Sequence, residues 1–335
     1  MSVEASLLVD GGEWNQLVER SDQTTPFHRF ETLETLAEHS GSKLYPFVGY
    51  KGQEPIGVFP VFSLSKWPIR TAFSPPPDLK IPYLGPALLE SGTVKQRKAE
   101  RRHRQFIEAV STRVDEEFHP HYTHVRTGIE YTDPRPFIWN GFDPTPSYTY
   151  LVELTPDTDD IFMSFSGDIR RNVRRAESEL QYTLSEGGAT EVEEVISHAR
   201  ARHEEQGLAY DVPPAFARGL YRSLPDDRVR VYTCRTDGRF LGGQITLEDD
   251  RTLYVWQTVA DLDSDVPVTD LIDWEVMQRA KERGLERADL IGANNPRLCR
   301  YKSKFNPRVR THYSLEACGR VAGTMKSLYQ RARGK

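Results

Sequence analysis

One supersecondary pattern occurs twice in this chain, in the same order, and that repetition constrains the architecture more than any single motif does. The stretch PFVGYKGQEPIGVFPVF (Pro46–Phe62) reads as strand, glycine-containing turn, strand, and so does VYTCRTDGRFLGGQITL (Val231–Leu247). Ile56-Gly57 and Leu241-Gly242 fall at matching places, 185 residues apart. Upstream of each hairpin lie two helical stretches. One pair opens at Trp14 and continues with Phe27, Phe30, Leu33 and Leu36 at helical spacing; the other opens at Val195 and continues with Phe216, Leu220 and Leu224. Downstream of the second hairpin, Leu253, Val255 and Gln257 alternate against Tyr254 and Trp256 in a strand. A helix over 269–283 follows, with Thr269 expected as its N-cap, Asp270 and Asp273 near its positive end and Gly284 as its stop, and then a strand over 286–291. The first half continues with a Pro-rich segment, a charged helix over 94–118 and a strand at 122–127. Each half therefore reads helix–helix–hairpin–strand–helix–strand. The fold class is α/β with two related domains, 1–146 and 147–335. Between the repeats, Asp133–Leu154 is too rich in proline for a helix and is expected to be loop and extended chain leading into a strand at 147–154.

A length of 335 residues suits two domains. The 44 bases and 49 acids leave a net charge of −5, which argues against a polybasic nucleic-acid coat and against duplex DNA as a partner. No apolar run reaches the roughly 20 residues that span a bilayer. The N-terminal sequence has no basic region followed by an apolar one, so a secretory leader is not expected. Cys234, Cys299 and Cys318 are odd in number and far apart, which fits a reducing cytoplasm and gives no metal knuckle. His119, His121 and His124 have poor spacing for a shared metal, and no metal is expected. The chain also lacks a P-loop, a dinucleotide GxGxxG, a GxSxG elbow and an HExxH pair.

Two segments draw functional interest. In DIRRNVRRAESEL, Asp168 is expected to cap a helix whose buried stripe is Ile169, Val173, Ala176 and Leu180. Arg170, Arg171, Arg174 and Arg175 then stack like charges at four-residue spacing, the pattern of a solvated face or of an anion contact. Lys95–Arg104 and Arg320–Lys335 are further basic runs. The second segment starts at Asp289, where a strand ends in Gly292, turns through Asn294-Asn295-Pro296 and reaches Cys299-Arg-Tyr-Lys-Ser-Lys-Phe305. Loops leaving strand ends are where α/β proteins place chemistry. This part is read as extended, with one of Lys302 and Lys304 expected to face inward.

At these residues the chain resembles the FemAB-like branch of the GNAT acyltransferase superfamily, also described as BioF2-like acetyltransferases. The matching pieces are Arg135–Phe142, Ser147–Leu154, the Arg-rich helix, Leu241-Gly242-Gly243, Ala280–Gly284, Asp289–Gly292 and Tyr301-Lys302-x-x-Phe305, and their order carries the likeness. The resemblance implies two tandem GNAT-like domains, each a mixed, largely antiparallel sheet flanked by helices. It also implies transfer of an activated acyl or aminoacyl group to an amine, with no bound cofactor. The donor would be aminoacyl-tRNA or, second, acyl-CoA; the acceptor would be a small-molecule or peptide amine. An aromatic–Lys pair acts at the acyl-transfer centre in some members, and Tyr301-Lys302 stands in that position. Lys302 is expected to stabilise the oxyanion, with Tyr301 shaping the acyl pocket and Asp289 or Gln257 positioning the amine. Trp256, Gln257, Asn294, Arg170, Arg171 and Arg174 are the expected substrate contacts. The loop Asp263–Asp270 has no glycine, several acids and Pro267, which disfavours a CoA pyrophosphate there. A non-catalytic GNAT-fold binding protein and a CoA-dependent N-acetyltransferase remain as alternatives.

Overall fold

The computed structural model describes residues 2–89, 94–225 and 228–318; the basic run 320–335 lies outside them. In chain order the first elements are β1 (Glu4–Leu7), α1 (Gly11–Val18), α2 (Phe30–Ser40), β2 (Lys43–Lys51), β3 (Glu54–Lys66), β4 (Ile69–Ser74), β5 (Ala87–Leu88), α3 (Gln96–Phe118), β6 (Tyr122–Arg126) and α4 (Arg135–Trp139). There follow β7 (Asp143–Glu153), α5 (Thr158–Ser164), α6 (Gly167–Glu179), β8 (Thr183–Glu186), α7 (Ala189–Glu205), α8 (Pro214–Ser223), β9 (Val229–Thr236), β10 (Arg239–Glu248), β11 (Thr252–Ala260), α9 (Val268–Glu282), β12 (Arg287–Asp289), α10 (Pro296–Lys302) and β13 (Arg308–Cys318). The described residues form two compact units: those up to 147 together with 311–318, and those within 148–310.

In the first unit β1, β2, β3, β4, β6 and β13 lie side by side, antiparallel except for the parallel pair β4 and β6. In the second unit β8, β9, β10, β11, β12 and β7 repeat that order, and β11 with β12 is again the parallel pair. The last strand of the first unit is supplied by the end of the chain, after the second unit is complete.

The repeated Ile-Gly and Leu-Gly have one physical cause. Gly49 pairs with Gly57 and Tyr50 with Pro55, which leaves Ile56 as the extra residue of a β-bulge. Cys234 pairs with Gly242 and Arg235 with Phe240, which leaves Leu241 in the same role. Directly after each bulge a glycine makes room for packing. A Cβ on Gly57 would lie 2.5 Å from the Phe106 ring of α3, and one on Gly49 would lie 2.3 Å from it. On Gly242 it would lie 2.6 Å from the Val259 carbonyl oxygen and 2.7 Å from Val268 at the start of α9. The helices can approach their sheets closely only because these positions carry no side chain.

Around those helices sit two cores. Phe47, Phe59, Phe106, Ile107, Val110 and Phe137 belong to the first unit's; Ile169, Val173, Leu253, Ile272, Val276 and Phe305 belong to the second's. The expected stripe of α6 holds, with Leu180 half-buried at its end. Several local expectations do not hold. Ser166 is the residue before α6, and Asp168 lies within its first turn. Helix α9 starts one residue earlier than read, at Val268 after Pro267, so Thr269 is not its cap. The Pro-rich bridge contains a short helix, α4, because its proline at the first turn needs no amide donor.

The bulge glycines predict stability. Gly57→Ala and Gly242→Ala should each cost about 1–3 kcal/mol in chemical denaturation. Adding Phe106→Leu should recover part of the Gly57→Ala loss. Trimming Val268 should recover little of the Gly242→Ala loss, because there the nearest obstacle is a backbone oxygen.

Candidate functional site

The site is built on the turn between β12 and α10. Asp289, fully buried, ends the strand. Its Oδ1 accepts a hydrogen bond from Thr149 Oγ1 at 2.5 Å and from the Ile291 amide at 2.8 Å. Ile291 then takes φ +46° and Gly292 φ +78°. A β-branched residue in the left-handed region is strained and persists only where its surroundings fix it. Here the Lys302 ammonium does so. It donates to the carbonyls of Leu290 at 2.7 Å, of Ile291, and of Gly292 at 3.5 Å. Asn294 pins the outer side of the turn: its Oδ1 accepts from the Tyr148 amide at 2.9 Å, and its Nδ2 donates to the Tyr148 carbonyl at 3.3 Å. Asn295 caps α10, accepting from the Arg297 amide at 2.9 Å.

Helix α10 carries Tyr301 and Lys302 at its end, so the two lysines of this segment are separated by helical geometry; in a strand, two residues apart, they would share a face. Lys302 points inward. Lys304 turns the other way and forms a 2.5 Å ion pair with Asp168 of α6, while the Ser166 amide donates to the Lys304 carbonyl at 2.8 Å. Lys304 and the Ser166 hydroxyl hold the Asp168 carboxyl well below the usual carboxylate range. Burial pulls the Lys302 ammonium below its ordinary value, and Asp273 and Asp289 oppose that pull.

Tyr301 stacks edge-on against Phe305, with ring centres 5.5 Å apart. Its hydroxyl donates to Asp273 Oδ2 at 2.9 Å, and burial with the two neighbouring acids, Asp273 and Asp270, raises it far above a free phenol. Asp273 and Asp270 lie one turn apart on α9, only 6% and 7% exposed. Asp273 Oδ1 also accepts from Gln244 Nε2 at 2.6 Å, and Asp270 Oδ2 from Asn172 Nδ2 at 2.8 Å. Burial raises both carboxyls, Asp273 to about 6. The sequence showed these two only as charges at a helix mouth, where they would repel phosphate. They face inward instead. The available signal was their setting: Asp273 is flanked by Leu271, Ile272, Trp274 and Val276 in a helix buried on most sides.

Of the residues nominated from sequence, Tyr301, Lys302 and Asp289 come together around this turn. Trp256 is the extra residue of a bulge in β11, where Ile245 pairs with Gln257 and Thr246 with Val255. Its ring meets Phe216, and the Gln257 side chain accepts from Tyr210 at 2.8 Å. The guanidinium groups of α6 form a separate face. Arg170, Arg171 and Arg174, with Arg175, line a shallow groove of about 590 Å³. Arg170 and Arg174 reach the Met163 sulfur at 3.5 and 3.7 Å, and Arg174 also lies 5.4 Å from the Phe162 ring centre. Among the described residues none of the four forms a salt bridge with a carboxylate. Arg175 donates to the Asp265 carbonyl at 2.8 Å and so brings positive charge to the loop before α9.

Comparison with known proteins places this geometry. Residues 163–303 match the family described as the acetyltransferase (GNAT) domain, a span that ends one residue after Lys302. No curated protein sequence matches the chain. Among solved structures, FemX aligns with a TM-score of 0.71 at 11% identity, over 93% of this chain and 96% of that one. The C-terminal domain of a putative lysylphosphatidylglycerol synthetase from Agrobacterium fabrum aligns with 0.56 at 11% identity, over 93% and 95%. A tandem GNAT protein from the clavulanic acid biosynthesis pathway aligns with 0.51 at 11% identity, over 95% and 98%. At these identities the likeness to the solved structures is one of fold. Residues 163–303 thus match a GNAT acetyltransferase domain, in a chain that shares the fold of FemX and of the tandem GNAT protein.

Proposed function

We propose that this protein forms amide bonds by transferring an acyl or aminoacyl group from an activated donor to an amine acceptor, at a site in its second unit, residues 148–310. The observation that carries this reading is the buried Lys302 ammonium, held beside the Tyr301–Asp273 pair inside the GNAT-matched span. The amine nitrogen attacks the donor carbonyl, and the C–N bond forms as the carbonyl oxygen takes up negative charge. Collapse then breaks the ester C–O or thioester C–S bond, and the proton lost by the nitrogen ends on the departing oxygen or sulfur. A fixed cation in a dry site stabilises that oxyanion by several kcal/mol. In this reading Lys302 supplies the charge, Tyr301 walls the acyl group, and Asp289 acts as a positioning residue that holds the turn. Trp256, Gln257 and Asn294 border the substrates. The acceptor is a small-molecule or peptide amine, and the compartment is the cytoplasm.

The unpaired Arg170, Arg171 and Arg174 favour a large phosphorylated donor, for which aminoacyl-tRNA is the choice. A second reading, an acyl-CoA donor, draws support from Arg175 beside the Asp265 loop, since a guanidinium there offsets the acids that the sequence set against pyrophosphate. Calorimetric titration of acetyl-CoA and of a mixed aminoacyl-tRNA pool separates the two. Micromolar tRNA binding with weak acetyl-CoA binding supports the first, and the reverse supports the second. Absence of transfer and of donor hydrolysis with both donors would favour a non-catalytic GNAT-fold binding protein. Among the described residues no helix is long and apolar enough to cross a membrane.

Two results are expected. Lys302→Ala should lower transfer at least about 100-fold, and it should also lower Tm, because the carbonyls of residues 290–292 lose their shared donor. Lys304→Ala should leave transfer within a few-fold. Equal losses in single-turnover assays would remove Lys302 from its role. Reversing Arg170 and Arg174 to Glu should weaken tRNA binding and flatten its salt dependence, because fewer counterions are released. An unchanged salt slope would make that row a solvated face.

A further inference from the structure

The polar cluster beneath Tyr301 contains more acceptors than donors. Asp270 and Asp273 are both buried, and every donor that reaches them is neutral: Asn172, Gln244 and Tyr301. The two lysines nearby are engaged elsewhere, Lys302 on the carbonyls of residues 290–292 and Lys304 on Asp168. Among the described residues no salt bridge reaches either acid. Buried carboxylates are ordinarily paired with a cation. Gln244 adds an independent observation. Its side chain is fully buried and gives its NH2 to Asp273 Oδ1 and to Thr258 Oγ1 at 3.2 Å, which leaves its carbonyl Oε1 without a hydrogen-bond partner. The amide cannot be turned over without setting that oxygen against the Asp273 carboxylate. Two carboxylates therefore meet the Tyr301 hydroxyl, an amide with an unused carbonyl is bonded to one of them, and Thr258, bonded to Gln244, is exposed.

We propose that the acceptor cluster of Asp270, Asp273, Gln244 Oε1 and Tyr301 Oη binds a primary ammonium group, and that this ammonium belongs to the amine that receives the acyl group. A primary ammonium brings three donors and one positive charge, which are what the cluster lacks. The identity of that amine as the acyl acceptor rests on the acyltransferase reading, but the ammonium site itself does not. Neutral isosteres such as an alcohol would leave the carboxylates unpaired and be rejected.

The probe is n-butylammonium chloride, compared with tetramethylammonium chloride at equal ionic strength, pH 7.5, by calorimetry and thermal shift on the full chain. Millimolar binding of butylammonium and at least tenfold weaker binding of the ion without N–H donors are expected. Asp273→Asn should weaken butylammonium binding at least tenfold. That variant should fold: burial raises the Asp273 carboxyl to about 6, so its ionised form costs stability above that pH and the cost disappears below the unfolded value near 4. Asn removes the charge, and its Tm should equal or exceed that of the wild type at pH 7.5, with the difference closing towards pH 4. The groups facing Asp273 during this titration are Asp270 on its own helix, Tyr301 and Lys302 on α10, and Gln244 on β10, with Lys304 and Asp168 beyond Asp270. Equal responses to the two ions, or butylammonium binding unchanged by Asp273→Asn, would overturn the proposal. Ammonium binding without acyl transfer from any donor would leave this site standing and remove the acyltransferase reading; transfer without ammonium binding would do the opposite.

Discussion

The second unit's site depends on one buried ammonium. Lys302 satisfies the carbonyls at the end of β12 and thereby holds Ile291 in a left-handed conformation that its branched side chain disfavours. The same turn sets Asp289 under the Ile291 amide and leads through Asn295 into α10, whose last turn returns Lys302 to its place. The arrangement is circular. The strained turn requires the lysine, and the lysine is positioned by the helix that the turn starts. A charge placed in this way is fixed before any substrate arrives, which is what electrostatic stabilisation of a developing oxyanion requires.

The two units share their sheet order but differ in the polar groups packed against it. In the first unit α3 buries His103, whose Nε2 lies 2.6 Å from the Tyr131 hydroxyl of the segment after β6. Burial lowers that imidazole to about 4, with Asp133 opposing, so the pair is neutral at physiological pH. The counterpart in the second unit is Asp273 of α9 bonded to Tyr301 of the segment after β12. The same helix-to-tyrosine tie thus closes on a neutral ring in one unit and on an ionisable acid in the other. A neutral pair is complete in itself, whereas an ionised carboxylate in the interior still calls for a positive partner.

The architecture was legible because it rests on patterns the chain states twice. Ile56-Gly57 and Leu241-Gly242 mark the same bulge and the same close helix approach, and the helices and strands follow in the order read. The stripe of α6 was legible from its period alone. Lys302 and Tyr301 were named from a resemblance, and their surroundings were not visible. An extended reading of residues 299–305 missed that Asn295-Pro296 begins a helix, although asparagine before proline is a good helix start. Asp270 and Asp273 were misread for a different reason. At a helix start, propensity places acids toward solvent to meet the dipole, and only tertiary contacts with Asn172, Gln244 and Tyr301 turn them inward.

That inward turn has a consequence for the whole second unit. An acid raised to about 6 by burial makes the folded protein less stable at neutral pH than a neutral residue of the same shape would. Packing alone gives no reason for a carboxylate there, because Asn would occupy the same volume and keep one acceptor for Gln244. Tyr301 is held by the same acid, and through Tyr301 the last turn of α10, so the residue that costs stability also aligns the aromatic ring next to Lys302. The glycine bulges make room for the frame on which this cluster is mounted, and the cluster spends part of its stability on charges that do not pair directly: the Lys302 ammonium on the carbonyls of residues 290–292, and carboxylates on the Tyr301 hydroxyl and on neutral amides. Neighbouring charges of opposite sign that do not neutralise each other are what a site needs if it must hold a cationic amine and an anionic transition state within reach of each other.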